Sequence, residues 1–304
     1  MRDFRRAGAT VLVAVFLALT ACTAASPASV TPSSSPSTIR FASFDFQENQ
    51  ILAELYAEAA RRRGLPVSVQ HGIGTREVVS PALQQGVVDV VIDYLGTALD
   101  FVRPGATKEL HTDAEMQASL TRTMGGRGVD VLHAARAEDQ NGFAVTTSFA
   151  ARHRVDRLSA LRPLAPGLVF GGPAECPGRP FCLPGLKSVY GLDFGHVRSM
   201  TSRAATVEAL VSGEIDVGML ETTDARLSEA PILLLLDDKS LQPPENVVPL
   251  VRLSVVRHWG SRLTQAFDEL SARLTTADLV QLNRMVEVDG RTPAEAAAAW
   301  WAVS

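Results

Sequence analysis

Short β-branched runs alternate along this chain with stretches whose apolar residues recur every three or four positions. Ile39 to Ser43 reads as a strand, and Glu48 to Arg63 carries Ile51, Leu52, Leu55, Tyr56 and Ala59 on one helical face before Gly64 and Pro66 end it. Val67 to His71 alternates like a second strand, and Val78, Val79, Ala82 and Leu83 mark a helix running into Gly86. Val87-Val-Asp-Val-Val-Ile-Asp-Tyr-Leu-Gly-Thr97 follows, an apolar run of the kind a parallel strand shows when helices cover both its faces. This strand, helix, strand, helix, strand order is that of a doubly wound α/β domain. Ligands in such sheets bind just beyond the strand ends, where Tyr94 and Thr97 stand.

The same grammar continues downstream. Thr112 to Thr123 reads as a helix, Val129 to His133 as a strand, and Gly142 to Thr146 as a strand crossing into a second domain. Leu158–Leu161 is expected in a short helix and Leu168–Gly172 in a strand; Val207 to Ser212 forms a helix leading to Glu214–Leu220. Ile232 to Leu236 is expected to lead back toward the first lobe, and Val247 to Val256 is strand-like. Helices over Ser261–Leu274 and Thr276–Val286, the latter with Thr276 as its cap, and a third opening at Thr292-Pro293 close the chain. Trp300 and Trp301 read as packing residues.

Ala82-Leu83-x-x-Gly86-x-x-Asp89-Val90 recurs as Ala209-Leu210-x-x-Gly213-x-x-Asp216-Val217. The repeat implies two similar lobes, with Tyr94 and Glu221 at the ends of equivalent strands facing one cleft.

The first residues do not belong to this pattern. Met1 to Arg6 is basic, Ala7 to Ala18 is apolar but too short to stay in a bilayer as a span, and Leu19-Thr-Ala-Cys22 resembles a bacterial lipobox. Residues 1–21 are therefore expected to be a lipoprotein signal peptide, with Cys22 the acylated residue that anchors the mature chain to a membrane. Residues 22–38, rich in Ser, Pro and Thr, read as a disordered tether. The globular part is then extracytoplasmic. In an oxidising compartment Cys176 and Cys182, around a Pro/Gly loop, are most simply a disulfide. Six histidines without metal-ligand spacing argue against a metal site, and a net charge of −4 gives no reason to expect nucleic acid.

Enzyme motifs are missing: there is no Gly-x-Ser-x-Gly, no phosphate loop and no His-Glu-x-x-His, and Gly72-Ile-Gly74 lacks a third glycine. A hydrolase would need an activated nucleophile that no Ser or Cys pattern supplies. A sensing domain of a signalling receptor would call for a later transmembrane helix. Neither an enzyme nor a cofactor is expected. An exported, tethered α/β chain with two lobes suits a solute receptor that closes by hinge motion.

Phe46-Gln-Glu-Asn-Gln-Ile-Leu-Ala-Glu54, Pro81–Asp89, Asp93-Tyr-Leu-Gly-Thr97, Phe170-Gly-Gly172, Arg179-Pro-Phe-Cys-Leu183, Tyr190–Phe194, Glu208–Asp216, Thr222-Thr-Asp224 and Leu236–Pro244, in that order, carry a resemblance. The chain resembles the substrate-binding lipoproteins of ABC importers for glycine betaine, choline, carnitine and related osmoprotectants. The resemblance implies a two-lobed, periplasmic-binding-protein-like (type II) fold with the ligand cleft between two doubly wound α/β domains. Residues 39–142 with 241–304 would form lobe 1 and 143–240 lobe 2. It also implies a monomer that delivers its solute to a permease and ATPase.

A quaternary ammonium donates no hydrogen bond and is held by ring faces, each worth ~0.5–2 kcal/mol. By resemblance Tyr94 is a cage tyrosine, Thr97 belongs to the same Tyr-x-Gly-Thr turn, and Arg179 takes a ligand carboxylate. Other cage positions depart from the family: Phe143, Glu221 and Glu245 stand where tyrosines are expected, and Phe44 where a lysine is often found. The expected site is therefore Tyr94, Phe143 and Phe44 as rings, Glu221 and Glu245 as negative charge, and Arg179. Those two carboxylates also leave open a receptor for a different cationic amine or an aromatic solute.

Overall fold

The computed structural model describes residues 38–303 apart from 111 and 175. Cys22, the segment 1–21 and nearly all of 22–38 lie outside the described residues. In chain order the strands are β1 (Ile39–Ala42), β2 (Val67–Gln70), β3 (Val90–Tyr94), β4 (Val129–Val131), β5 (Asn141–Thr146), β6 (Val169–Gly172), β7 (His196–Ser199), β8 (Val217–Glu221), β9 (Ile232–Leu234) and β10 (Val247–Arg252). The helices are α1 (Gln47–Arg62), α2 (Arg76–Gln85), α3 (Leu95–Val102), α4 (Asp113–Gly125), α5 (Thr147–His153), the single turn α6 (Leu183–Gly185), α7 (Arg203–Ser212), α8 (Leu253–Trp259), α9 (Ser261–Arg273), α10 (Thr276–Glu287) and α11 (Pro293–Val303).

Two five-stranded sheets share one topology, β2-β1-β3-β10-β4 and β7-β6-β8-β5-β9. In each, three parallel strands meet an antiparallel strand contributed by the chain as it crosses between lobes: β10 runs against β3, and β5 against β8. Strand β3 is buried along its whole length because apolar layers cover both faces of its sheet. One layer joins Phe41, Leu52, Tyr56, Phe267 and Trp300, the other Val91, Leu99, Leu120 and Leu250. The second sheet is sandwiched in the same way.

The internal repeat is structural. Gly86 and Gly213 end α2 and α7 in the left-handed conformation at φ 78° and 77°, which glycine adopts without steric cost. Three residues on, Asp89 and Asp216 accept the backbone N–H of Arg40 and of Val169 at 3.0 and 2.8 Å, each joining its strand to the neighbouring one. Tyr94 and Glu221 are the last residues of β3 and β8.

Four expectations are corrected. Val87 is exposed and the strand starts at Val90, because the turn after Gly86 consumes the first apolar residues. Strand β10 stops at Arg252 and the rest of the apolar run is α8, a short run that periodicity does not assign to strand or helix. The cap of α10 is Thr275, whose hydroxyl accepts from Asp278 N while the Asp278 carboxylate reaches back to Thr275 N. Strand β9 pairs with β5 at the edge of the second sheet, and the return to the first lobe is made by the Pro243-Pro244 segment entering β10. Among the described residues no helix is long and apolar enough to cross a membrane.

Candidate functional site

A cleft of about 850 Å³ lies between the two sheets' strand ends and is lined by Tyr94, Thr97, Arg179, Glu221 and Glu245 among others. It is built around the end of β3. Tyr94 is the last strand residue and also the N-cap of α3, so the chain turns sharply at Leu95 and Gly96. That turn needs glycine because of a neighbour: a Cβ on Gly96 would sit 2.8 Å from the Pro244 carbonyl oxygen and 3.0 Å from Glu245 Oε1. The close approach lets Leu95 N and Gly96 N donate to the carbonyls of Asn246 and Pro244 at 3.0 and 3.1 Å. Glu245 is thereby delivered to the cleft wall. Thr97 holds it there, donating its N–H to Oε2 at 3.0 Å and its hydroxyl to Oε1 at 2.6 Å.

Tyr94 is buried but for its cleft side, and its phenol donates to Glu48 Oε1 at 2.5 Å. Burial, reinforced by the Glu48 charge, raises the phenol well above its ordinary pKa, so it stays a neutral donor. Its ring stacks on Phe46 at 6.1 Å between centroids, and Phe46 stacks on Phe44 at 6.0 Å. Phe46, 42 % exposed, and Tyr94 both line the cleft.

Two predicted rings lie elsewhere. Phe44 is 3 % exposed, with the Arg76 guanidinium 5.0 Å from its centroid and itself paired with Asp93 at 2.6 Å. It backs the stack from below. Phe143 is 1 % exposed in the second lobe's core, 6.2 Å from Phe170, because its side chain falls on the core face of β5. The structure gives the cleft Phe46 and Phe181 as further rings.

Phe181 and Arg179 come from the loop closed by the Cys176–Cys182 disulfide, whose Cα atoms are 5.4 Å apart. Gln242 steadies this loop by donating to the Phe181 carbonyl at 2.8 Å. Arg179 has no ion-pair partner among the described residues, whereas Glu221 is paired with Arg203. So Glu221 reaches the cleft with its charge already balanced.

The remaining wall is acidic. Glu48 is 7 % exposed and accepts from Asn283 Nδ2 at 2.6 Å as well as from Tyr94. Asp139, whose Oδ1 is shut off from solvent without a hydrogen-bond partner, is raised well above the usual carboxylate range by loss of water and by the Glu48 charge. Glu245 is pushed up to about 7, first by loss of water, against the hydrogen bonds from Thr97. A cation entering here would relieve this repulsion and favour the ionised forms. No group of three or more His, Cys, Asp or Glu among the described residues could hold a metal.

Glu48, Phe46, Phe181, Asp139 and Asn283 are cleft residues that sequence reasoning missed. Phe46 and Glu48 lie within a stretch that carried the resemblance, and their place at the start of α1 beside the β1 turn was the available signal. Asn283 had none, being brought in from 235 residues beyond Glu48.

The family described as the substrate binding domain of ABC-type glycine betaine transport systems matches residues 37–303. A glycine-betaine-binding protein of Pseudomonas aeruginosa is 28 % identical over 277 residues, covering 86 % of each chain. The glycine betaine-binding protein YehZ of Escherichia coli is 25 % identical over 255 residues, 80 % of this chain and 83 % of its own. Among solved structures, a glycine betaine/carnitine/choline ABC transporter protein superposes with a TM-score of 0.79 at 21 % identity, over 87 % of this chain and 98 % of that one. Apo YehZ superposes at 0.77 and 22 % identity, over 88 % and 98 %.

Proposed function

The chain belongs to the family of substrate-binding domains of ABC-type glycine betaine transport systems, and on that premise we propose that it is an extracytoplasmic receptor which captures a quaternary ammonium osmoprotectant and passes it to a permease driven by an ATPase. The observation that carries the ligand class is the Tyr94–Phe46 pair of rings on a cleft wall, with the Tyr94 hydroxyl on the Glu48 carboxylate. An ammonium without donors is held by such faces and by nearby negative charge. Arg179, from the disulfide-closed loop, is the partner for a ligand carboxylate where there is one. Thr97 and Glu245 shape the wall beside Tyr94, and Glu221 comes from the end of β8 in the other lobe. The chain is a carrier and not a catalyst, works as a monomer, and is held at the membrane by acyl chains on Cys22.

The reading as a receptor for a different amine or an aromatic solute is less favoured, since the matched family and both relatives named above point to glycine betaine. Titration calorimetry with glycine betaine, choline, carnitine and proline tests the proposal. Saturable heat from at least one is expected, and no heat from any at millimolar concentration would overturn the ligand class.

A further inference from the structure

Four cleft residues form one hydrogen-bonded strap between the lobes. Helix α10 belongs to the first lobe, where Leu279, Leu282 and Val286 enter its core. From it Asn283, 4 % exposed, points toward the cleft floor. Its Nδ2 donates one hydrogen to Glu48 Oε2 at 2.6 Å and one to the carbonyl of Thr223 at 2.9 Å. Thr223 follows β8 and is 1 % exposed. The other oxygen of Glu48 takes the Tyr94 phenol at 2.5 Å. So the ring at the end of β3, the first turn of α1, α10 and the loop after β8 share a single amide.

We infer that Asn283 is a positioning residue for ligand capture: through Glu48 it sets the electron-rich face of Tyr94, and through Thr223 it ties that face to the position of the second lobe. The inference rests on the receptor reading above. A phenol that donates to a carboxylate has a ring richer in electrons, and a carboxylate held at both oxygens stays aimed at that phenol. Remove the amide, and Glu48 loses one of the two bonds that orient it. At the same time the first lobe loses its buried bond to the Thr223 carbonyl. Two flanking ion pairs, Arg284–Glu229 at 2.6 Å and Arg226–Glu287 at 3.7 Å, also join α10 to the loop after β8. They are solvent-screened and contribute little, so the buried amide carries the tie.

The test uses the chain bearing Cys22→Ser, with spin labels on Arg122→Cys and Glu208→Cys, one exposed position in each lobe. Two probes are titrated, choline and its uncharged carbon isostere 3,3-dimethylbutan-1-ol, and the interlobe label distance is read without ligand. Asn283→Leu is expected to lower choline affinity about tenfold, to leave the isostere within about twofold, and to widen the label distance. Glu48→Gln, which keeps the shape and an acceptor, is expected to lower the choline-to-isostere ratio in the same direction. A merely structural asparagine would shift the melting temperature and move both probes alike, so an unchanged ratio in both variants overturns the inference. A lowered ratio with an unchanged label distance overturns the tie to the second lobe. Should Asn283→Leu fail to fold, Asn283→Ala, which loses the donor without adding bulk or charge, is read in both assays. If the unsubstituted chain binds neither probe, the ring half of the inference is overturned while the label distance still decides the tie; the receptor reading stands or falls separately, by the titration with all four osmolytes.

Discussion

Glu245 accepts both the backbone N–H and the hydroxyl of Thr97, at 3.0 and 2.6 Å, so the segment that returns the chain to the first lobe is clipped to the turn after Tyr94. A half-buried carboxylate is thereby fixed on the cleft wall with a pKa pushed up to about 7.

Cation binding is therefore expected to depend on pH. Glu245 holds its proton below about 7 in the folded chain and loses it near the ordinary value when unfolded, so the folded state binds more protons between about 4.5 and 7. Its contribution to stability falls as pH rises through that window. Affinity for a cation moves the other way, rising by about threefold to tenfold between pH 5.5 and 8 as the carboxylate ionises. Asp139 is raised for the same reasons and adds in the same direction. In Glu245→Gln both slopes should flatten, measured by calorimetry and urea unfolding; an unchanged affinity profile would remove Glu245 from the site.

Tyr94→Phe keeps the ring and removes the donor to Glu48 Oε1. A buried carboxylate oxygen left without its partner costs about 1–3 kcal/mol, so the midpoint of urea unfolding should fall accordingly. Unchanged stability would mean that water replaces the phenol at Glu48.

Gly96→Ala puts a Cβ 2.8 Å from the Pro244 carbonyl. Backbone must move, at a cost of about 1–3 kcal/mol, and Glu245 moves with it. Loss of the Thr97–Glu245 clip should appear as weaker ligand binding beyond the fall in melting temperature.

The disulfide closes the loop that presents Arg179 and Phe181 to the cleft. Cys176→Ser with Cys182→Ser is expected to cost about 2 kcal/mol of stability. If Arg179 takes the ligand carboxylate, as proposed, glycine betaine should weaken more than choline; equal weakening of both would argue that Arg179 does not touch the ligand.

The fold was legible where one residue type has one physical job. Gly86 and Gly213 end helices in the left-handed region, and Asp89 and Asp216 join neighbouring strands, so their shared spacing makes the duplicated topology visible in the sequence itself. Tyr94 and Thr97 were legible for the same reason, as the polar tip of a buried strand. Ring identity alone said less. Phe143 and Phe44 differ from Phe46 only in which way a strand or turn aims them, and that depends on the pleat and on Arg76. The acidic floor was hidden because Glu48 and Asn283 meet only after the last helices fold back over the first.

The claim on which the rest depends is that a cation rests on the Tyr94 ring. Equilibrium titration of glycine betaine and choline into the unsubstituted chain and Tyr94→Ala tests it most directly. Saturable binding by the unsubstituted chain and a loss of about tenfold or more in Tyr94→Ala, the worth of one well-placed ring, are expected. Equal affinity in the two proteins would contradict it.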